Sequence, residues 1–98
     1  AGRFMSSYVK LGVYPEDPFH TLDIEGVGEL LKIGATRGRN ARSDVVLSIC
    51  GEHVGSPEAI DFCRKAGFDY VSCSPFRVPV ARLAAAQIAL ADRIGVDP

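Results

Sequence analysis

Apolar residues recur along the chain with two different periods. Phe4, Tyr8 and Leu11 stand at i, i+4 and i+7, one face of a helix, with Gly12 as its stop. No capping residue precedes Arg3, so the helix is expected to start upstream and the chain to be a fragment. Residues 13–18, broken by Pro15 and Pro18, are expected to form a loop. Thr21 or Asp23 is placed to cap a second helix, with Glu25 in its first turn and Ile24, Val27, Leu31 and Ala35 on one face. Gly26, Gly28 and Gly34 would each weaken that helix by about 1 kcal/mol relative to alanine. Such a cost points to close packing against a neighbour. Gly38 is expected to end the helix.

The period then changes. Residues 45–49 are an apolar run with only Ser48 inside it, as in a parallel strand buried on both faces. The run delivers Cys50, Gly51, Glu52 and His53 into a loop ending at Gly55. Ser56-Pro57-Glu58 is a strong helix start, Ile60, Cys63 and Ala66 form its apolar stripe, and Gly67 closes it. Residues 69–73 read as a second strand and 74–77 as its loop. Val80, Leu83, Ala84, Gln87, Ile88 and Ala91 make one face of a last helix, ended by Gly95. The fold class is therefore α/β, with two strand–helix units in series and right-handed parallel crossover as the default. Two strands cannot make a stable doubly covered sheet alone. The chain is expected to add to more sheet, in the same polypeptide or in another copy.

Composition changes this picture little. The 98 residues suffice for one domain, 1–98, and 47 % hydrophobic with 23 % charged residues is a globular balance. A net charge of −1 leaves no electrostatic footprint for nucleic acid. Lys32, Arg37, Arg39 and Arg42 cluster locally, as solvated cations near a helix C-terminus do. No apolar run approaches the ~20 residues of a membrane span, and no signal-peptide pattern opens the chain. Three cysteines, two in strand-like runs, suggest reduced intracellular thiols rather than a disulfide framework.

The candidate chemistry gathers where the strands end. Cys50 is either a small buried hydrophobe or a thiol acid or nucleophile at a strand carboxyl end, where α/β folds place their chemistry. Glu52 and His53 beside it favour the second, because two titratable groups on a glycine-flanked loop serve packing poorly. Tyr70, on the neighbouring strand, is either a packed core tyrosine or a hydrogen-bond partner of that thiol. A zinc site from Cys50, His53, Cys63 and Cys73 would need an irregular spacing with one ligand mid-helix. His53 has no partner acid at a helpful spacing, and Gly51 and Gly55 lack the Lys-Ser/Thr ending of a phosphate loop.

Residues 48–53, Ser-Ile-Cys-Gly-Glu-His, and 70–87, Tyr-Val-Ser-Cys-Ser-Pro-Phe-Arg-Val-Pro-Val-Ala-Arg-Leu-Ala-Ala-Ala-Gln, closely resemble the pyruvate, phosphate dikinase family of phosphoenolpyruvate-utilising enzymes. Asp17-Pro18-Phe19 and Gly26-Val27-Gly28 are also similar. Phosphoenolpyruvate synthase and enzyme I of the sugar phosphotransferase system share the Cys-Gly element but not the long run. The resemblance implies the last two strand–helix units, with preceding helices, of a (β/α)8 TIM barrel that binds phosphoenolpyruvate or pyruvate. It implies a parent phosphotransferase that interconverts ATP, phosphate and pyruvate with AMP, pyrophosphate and phosphoenolpyruvate. A phosphohistidine on a separate domain carries the phosphoryl group, and Mg²⁺ assists, its ligands lying upstream with no metal ligand in this chain.

By the same resemblance Cys50 is the catalytic acid/base at the methyl carbon of pyruvate, Tyr70 assists it, and Gly51 and Glu52 shape the substrate pocket. Partners implied are the phosphohistidine domain and a second subunit, and the location is the cytoplasm, or a plastid in a plant. The isolated chain is expected to be inactive. The alternative is a non-catalytic, self-associating barrel fragment or subunit-contact module. Two positions depart from the family's Gly-Glu-His-Gly-Gly-Asp-Pro: Val54 and Ser56 replace a glycine and an aspartate. Serine caps a helix equally well. Valine would be strained if the glycine it replaces has positive φ.

Overall fold

The computed structural model describes residues 2–95. Helix α1 (Gly2–Lys10) ends as the glycine signal predicts, with Gly12 at φ +77° and the Leu11 amide donating to the Ser7 carbonyl. Its expected apolar face does not reach a core. Met5 is its buried residue, while the Phe4 and Tyr8 rings stack at 5.4 Å and Tyr8 meets Tyr14 at 6.1 Å, all three exposed. Aromatic contact among themselves replaces burial against another layer.

Helix α2 (Val27–Ala41) begins later than the pattern suggests. The Asp23 carboxylate accepts from the amides of Gly26 (3.1 Å) and Val27 (3.4 Å), and its carbonyl accepts from Gly28, so 24–26 become a turn ahead of the helix. Close packing explains Gly28: a Cβ there would stand 3.1 Å from the Phe62 ring. It does not explain Gly34, which faces open space. Gly38 does not end the helix. It lies inside α2, where the side chains of Val45 and Leu47 cross it, and the ordinary cost of a helical glycine is too small to break the element.

Strands β1 (Ser48–Cys50) and β2 (Tyr70–Ser72) are parallel, with Ser48, Ile49 and Cys50 opposite Tyr70, Val71 and Ser72. Both are shorter than the apolar runs that announce them. They are also not buried on both faces. Ile49 and Val71 turn inward against the helices, whereas Ser48, Cys50, Tyr70 and Ser72 share an exposed face, which no described element covers. The β1–α3–β2–α4 order and the parallel pairing make the chain α/β.

Helix α3 (Pro57–Lys65) starts as its sequence dictates: Ser56 Oγ accepts from the Ala59 amide at 3.3 Å, Pro57 opens the first turn, and Gly67 at φ +85° follows the end. It is the central element. One side contributes Ala59, Phe62 and Cys63 to a cluster with Leu22 and Val54; the other gives Ile60 to a cluster with Ala81, Ala84 and Ile88 of helix α4 (Val78–Ile94). An Arg64–Asp92 ion pair also joins α3 to α4. Gly95, at φ +69°, caps α4. The buried stripe of α4 is Ala81, Ala84, Ile88 and Ala91, so Val80 and Leu83, expected inside, are exposed with Leu90 and Ile94. Three alanines and Ile88 form the side of α4 that is buried, while Val80, Leu83, Leu90 and Ile94 face away. No described helix is long and apolar enough to cross a membrane.

Candidate active site

The parallel register brings the carboxyl ends of β1 and β2 side by side. Cys50 is the last residue of β1, and its thiol lies on the open sheet face. The pairing continues one residue further, where the Gly51 amide donates to the Ser72 carbonyl at 3.1 Å. Gly51 then turns the chain at φ +144°, a conformation essentially reserved for glycine. A Cβ at this position would also meet the His53 ring at 2.5 Å. The chain therefore leaves Cys50 through a corner that only glycine can occupy.

A 3-10 turn (Glu52–Val54) follows. Val54 plugs it into the core and is completely buried, beside Leu22, Ala59, Phe62 and Cys63. No non-glycine residue among those described has positive φ, so the valine is not strained; its side chain anchors the loop from below.

Glu52 points across to the other strand's loop. Its Oε1 accepts from the Ser74 amide at 3.0 Å, its Oε2 from the Ser74 hydroxyl at 3.3 Å, and Arg77 Nε stands 3.6 Å from Oε2. Both carboxylate oxygens are engaged within the protein. Ser74 and Arg77 are the residues that sequence reasoning did not single out. The signal was present: an acid two residues past one strand end and a hydroxyl and a cation just past the next, joined only by parallel register.

Tyr70 is not a packed core tyrosine; it is 55 % exposed, on the same face as Cys50. The register offsets the two by one strand and two residues, about 8 Å between Cα atoms. No hydrogen bond joins thiol and hydroxyl among the described residues. Cys73 has the opposite parity and packs with Ile60 and Ala81 on the helix side. Cys63 lies in the core, where burial pushes its thiol pKa up. The three sulfurs therefore diverge, and among the described residues no three His, Cys, Asp or Glu side chains gather as metal ligands. Among the described residues no set of oxygen ligands gathers near the thiol that would fit Mg²⁺.

The amino end of the strand pair has its own fastening. The Asp69 amide donates to the Leu47 carbonyl and the Leu47 amide to Asp69 Oδ2, both at 2.8 Å, while Arg39 of α2 donates to Asp69 Oδ2 (2.9 Å) and to the Gly67 carbonyl (3.0 Å). The Leu47 amide, and then the Arg39 guanidinium, hold the Asp69 carboxyl below its usual pKa. Of the basic cluster, Arg42 also pairs with Asp44, and Lys32 lies 5.5 Å above the Phe62 ring. A groove of about 600 Å³ runs not at Cys50 but between β2 and α4, lined by Tyr70, Ser72, Cys73, Val78, Arg82 and Ala85.

With this geometry in view, comparison with known proteins is specific. The family described as "PEP-utilising enzyme, PEP-binding domain" matches residues 5–90. The pyruvate, phosphate dikinase of Rhizobium meliloti (strain 1021) is 56 % identical over 93 residues, covering 95 % of this chain and 10 % of the relative. That of Clostridium symbiosum is 54 % identical over 90 residues, 92 % of this chain and 10 % of the relative. The chloroplastic pyruvate, phosphate dikinase 1 of Oryza sativa subsp. japonica is 56 % identical over 89 residues, 91 % and 9 % respectively. The chain thus spans about a tenth of the length of the curated relatives it matches.

Proposed function

Because the chain belongs to the PEP-utilising enzymes, within their PEP-binding domain, we propose that it forms the proton-transfer corner of a pyruvate, phosphate dikinase. The whole protein interconverts ATP, phosphate and pyruvate with AMP, pyrophosphate and phosphoenolpyruvate, in the cytoplasm or a plastid. A phosphohistidine domain elsewhere in the polypeptide delivers the phosphoryl group, and Mg²⁺ is held by residues outside this chain. The strand–helix units β1–α3 and β2–α4 are the last two of a (β/α)8 barrel, with Ser48, Cys50, Tyr70 and Ser72 on its inner face. The uncovered sheet face and the groove along β2 support this, since both are surfaces a further strand and its layer would fill.

Cys50 is the general acid/base. In the pyruvate-forming direction the enolate C=C electron pair takes the thiol proton at the terminal carbon, which becomes the methyl group and leaves a thiolate. In the reverse direction the thiolate removes a methyl proton. The same sulfur serves both directions, as proton donor in the thiol form and proton acceptor in the thiolate form. Tyr70 shares the face and assists the sulfur. The isolated chain, with one corner of a site, has no dikinase activity.

The observation that carries this reading is the exposed Cys50 thiol at the carboxyl end of β1, facing away from the helices while Cys63 and Cys73 face them. In the intact protein, Cys50→Ala should abolish proton exchange at the pyruvate methyl and leave phosphohistidine formation from ATP and phosphate intact. Retained exchange, or loss of both activities in a folded variant, would contradict the role.

A second reading, self-association, is favoured by the exposed stripe Val80, Leu83, Leu90 and Ile94 on α4. With Gln87 these fall at alternating spacings of three and four, the seam of a helix pair. Sedimentation of the intact protein should give a dimer that Leu83→Glu with Leu90→Glu dissociates; an unchanged dimer rejects this seam.

A further inference from the structure

We infer that Glu52 is a positioning residue for the Cys50 thiol: its carboxylate clamps the loop leaving β1 to the loop leaving β2 and so holds the thiol's strand end in place. This rests on the reading of Cys50 as the proton-transfer group, and it assigns Glu52 a task other than contact with substrate.

Three features carry it. First, sheet pairing stops one residue past Cys50, at the Gly51 amide, and Gly51 itself offers the least backbone resistance to swinging. Beyond Gly51 the corner is held in two ways: Val54 seats it in the core from below, and Glu52 ties it sideways to the loop after β2. Second, both oxygens of Glu52 are engaged by the chain. One oxygen takes the Ser74 amide, which lies two residues past the end of β2; the other takes the Ser74 hydroxyl and faces Arg77. A carboxylate held in this way repels a bound anion, which speaks against contact with an anionic substrate. Third, the surroundings are shaped to receive the clamp. A Cβ at Gly55 would stand 3.2 Å from Arg77 Cδ and 3.3 Å from Arg77 Cβ, so the bare glycine lets the arginine stem lie over the loop and bring its head to Glu52. The clamp therefore ties Cys50 to the strand that carries Tyr70, the two groups whose relative placement the chemistry uses.

The test compares Glu52→Ala, Glu52→Gln and Ser74→Ala in the intact protein, reading proton exchange at the pyruvate methyl, its KM for pyruvate, and thermal unfolding. Misplacing a reacting group by about 1 Å costs on the order of a hundredfold, so Glu52→Ala should lower kcat by about ten- to a hundredfold. KM and the unfolding midpoint should stay near wild type. Glutamine keeps one acceptor and loses the charge toward Arg77, so Glu52→Gln should fall between. Ser74→Ala keeps its amide and should lose less, and combined with Glu52→Ala it should add little, because both remove one interaction. A rise in KM at unchanged kcat would make Glu52 a substrate ligand and overturn the inference; so would an unchanged kcat in all three variants. Cys50→Ala, measured alongside, separates the two layers. If it retains exchange, the assignment of Cys50 fails. If it abolishes exchange while Glu52→Ala and Glu52→Gln leave kcat intact, the positioning role alone fails. Should the alanine variant not fold, the glutamine and serine variants decide.

Discussion

The two ends of the β1–β2 pair are fastened in the same manner and serve different ends. At the amino end Asp69, from the β2 side, accepts the Leu47 amide ahead of β1; at the carboxyl end Glu52, from the β1 side, accepts the Ser74 amide beyond β2. The amino-end carboxylate is also bound by Arg39 of α2, which ties the strands to a helix. The carboxyl-end carboxylate is met only by groups from its own pair of loops, and the exposed thiol stands two residues away. Chemistry in α/β folds sits at carboxyl ends of strands, where loops can vary without disturbing the layers. The same device therefore ties the strands to a helix at one end and holds the loops beside the exposed Cys50 thiol at the other.

Substitutions can break this contrast. The largest effect is expected from Gly51→Ala. A side chain must leave φ +144° and clear the His53 ring, so the corner shifts as a whole; under the proposed role of Cys50, proton exchange at the pyruvate methyl by the intact protein should fall about a hundredfold while the variant still folds. Steady-state exchange together with circular dichroism checks both halves of that statement. A near-normal rate would show that the corner does not govern the thiol. Asp69→Asn should do the converse and more weakly: a lower unfolding midpoint, with activity per folded molecule unchanged. The smallest effect is its pH dependence. Asp69 has a lowered pKa in the folded chain, so its stabilisation is present above the unfolded value, about 3.9, and is lost as pH falls through the folded value. Wild type should lose this increment in acid and the asparagine variant should not. Parallel acid denaturation of the two would show the amino-end fastening to be idle.

Much of this arrangement was legible in the residues. Ser56-Pro57-Glu58 starts α3, Gly67 and Gly95 follow α3 and α4, and the two apolar runs mark the strands, because caps, glycines and short apolar runs act locally. What could not be read was which face meets which neighbour. The periodicity that places Val80 and Leu83 on one side of α4 does not say that Ala81, Ala84 and Ile88 instead meet α3. The run at 45–49 suggested burial on both faces, but among the described residues only one face of the strand pair is covered. The placement of Cys50 and Tyr70 on the strand pair was readable from the apolar runs, whereas the Glu52–Ser74–Arg77 contact depends on strand register and on the space left by Gly55. Both are properties of the fold rather than of any local pattern.

Val54 has a consequence for time as well as for place. Surface loops fluctuate in nanoseconds to microseconds, independently of the layers beneath them. Here the loop after Cys50 carries a fully buried side chain two residues past Glu52, seated with Phe62 and Cys63 of α3. To swing away, the loop must pull Val54 out of that cluster and open the core. Its motion thereby joins the slow cooperative class of partial unfolding, and the thiol is presented by a segment that keeps the clock of the core.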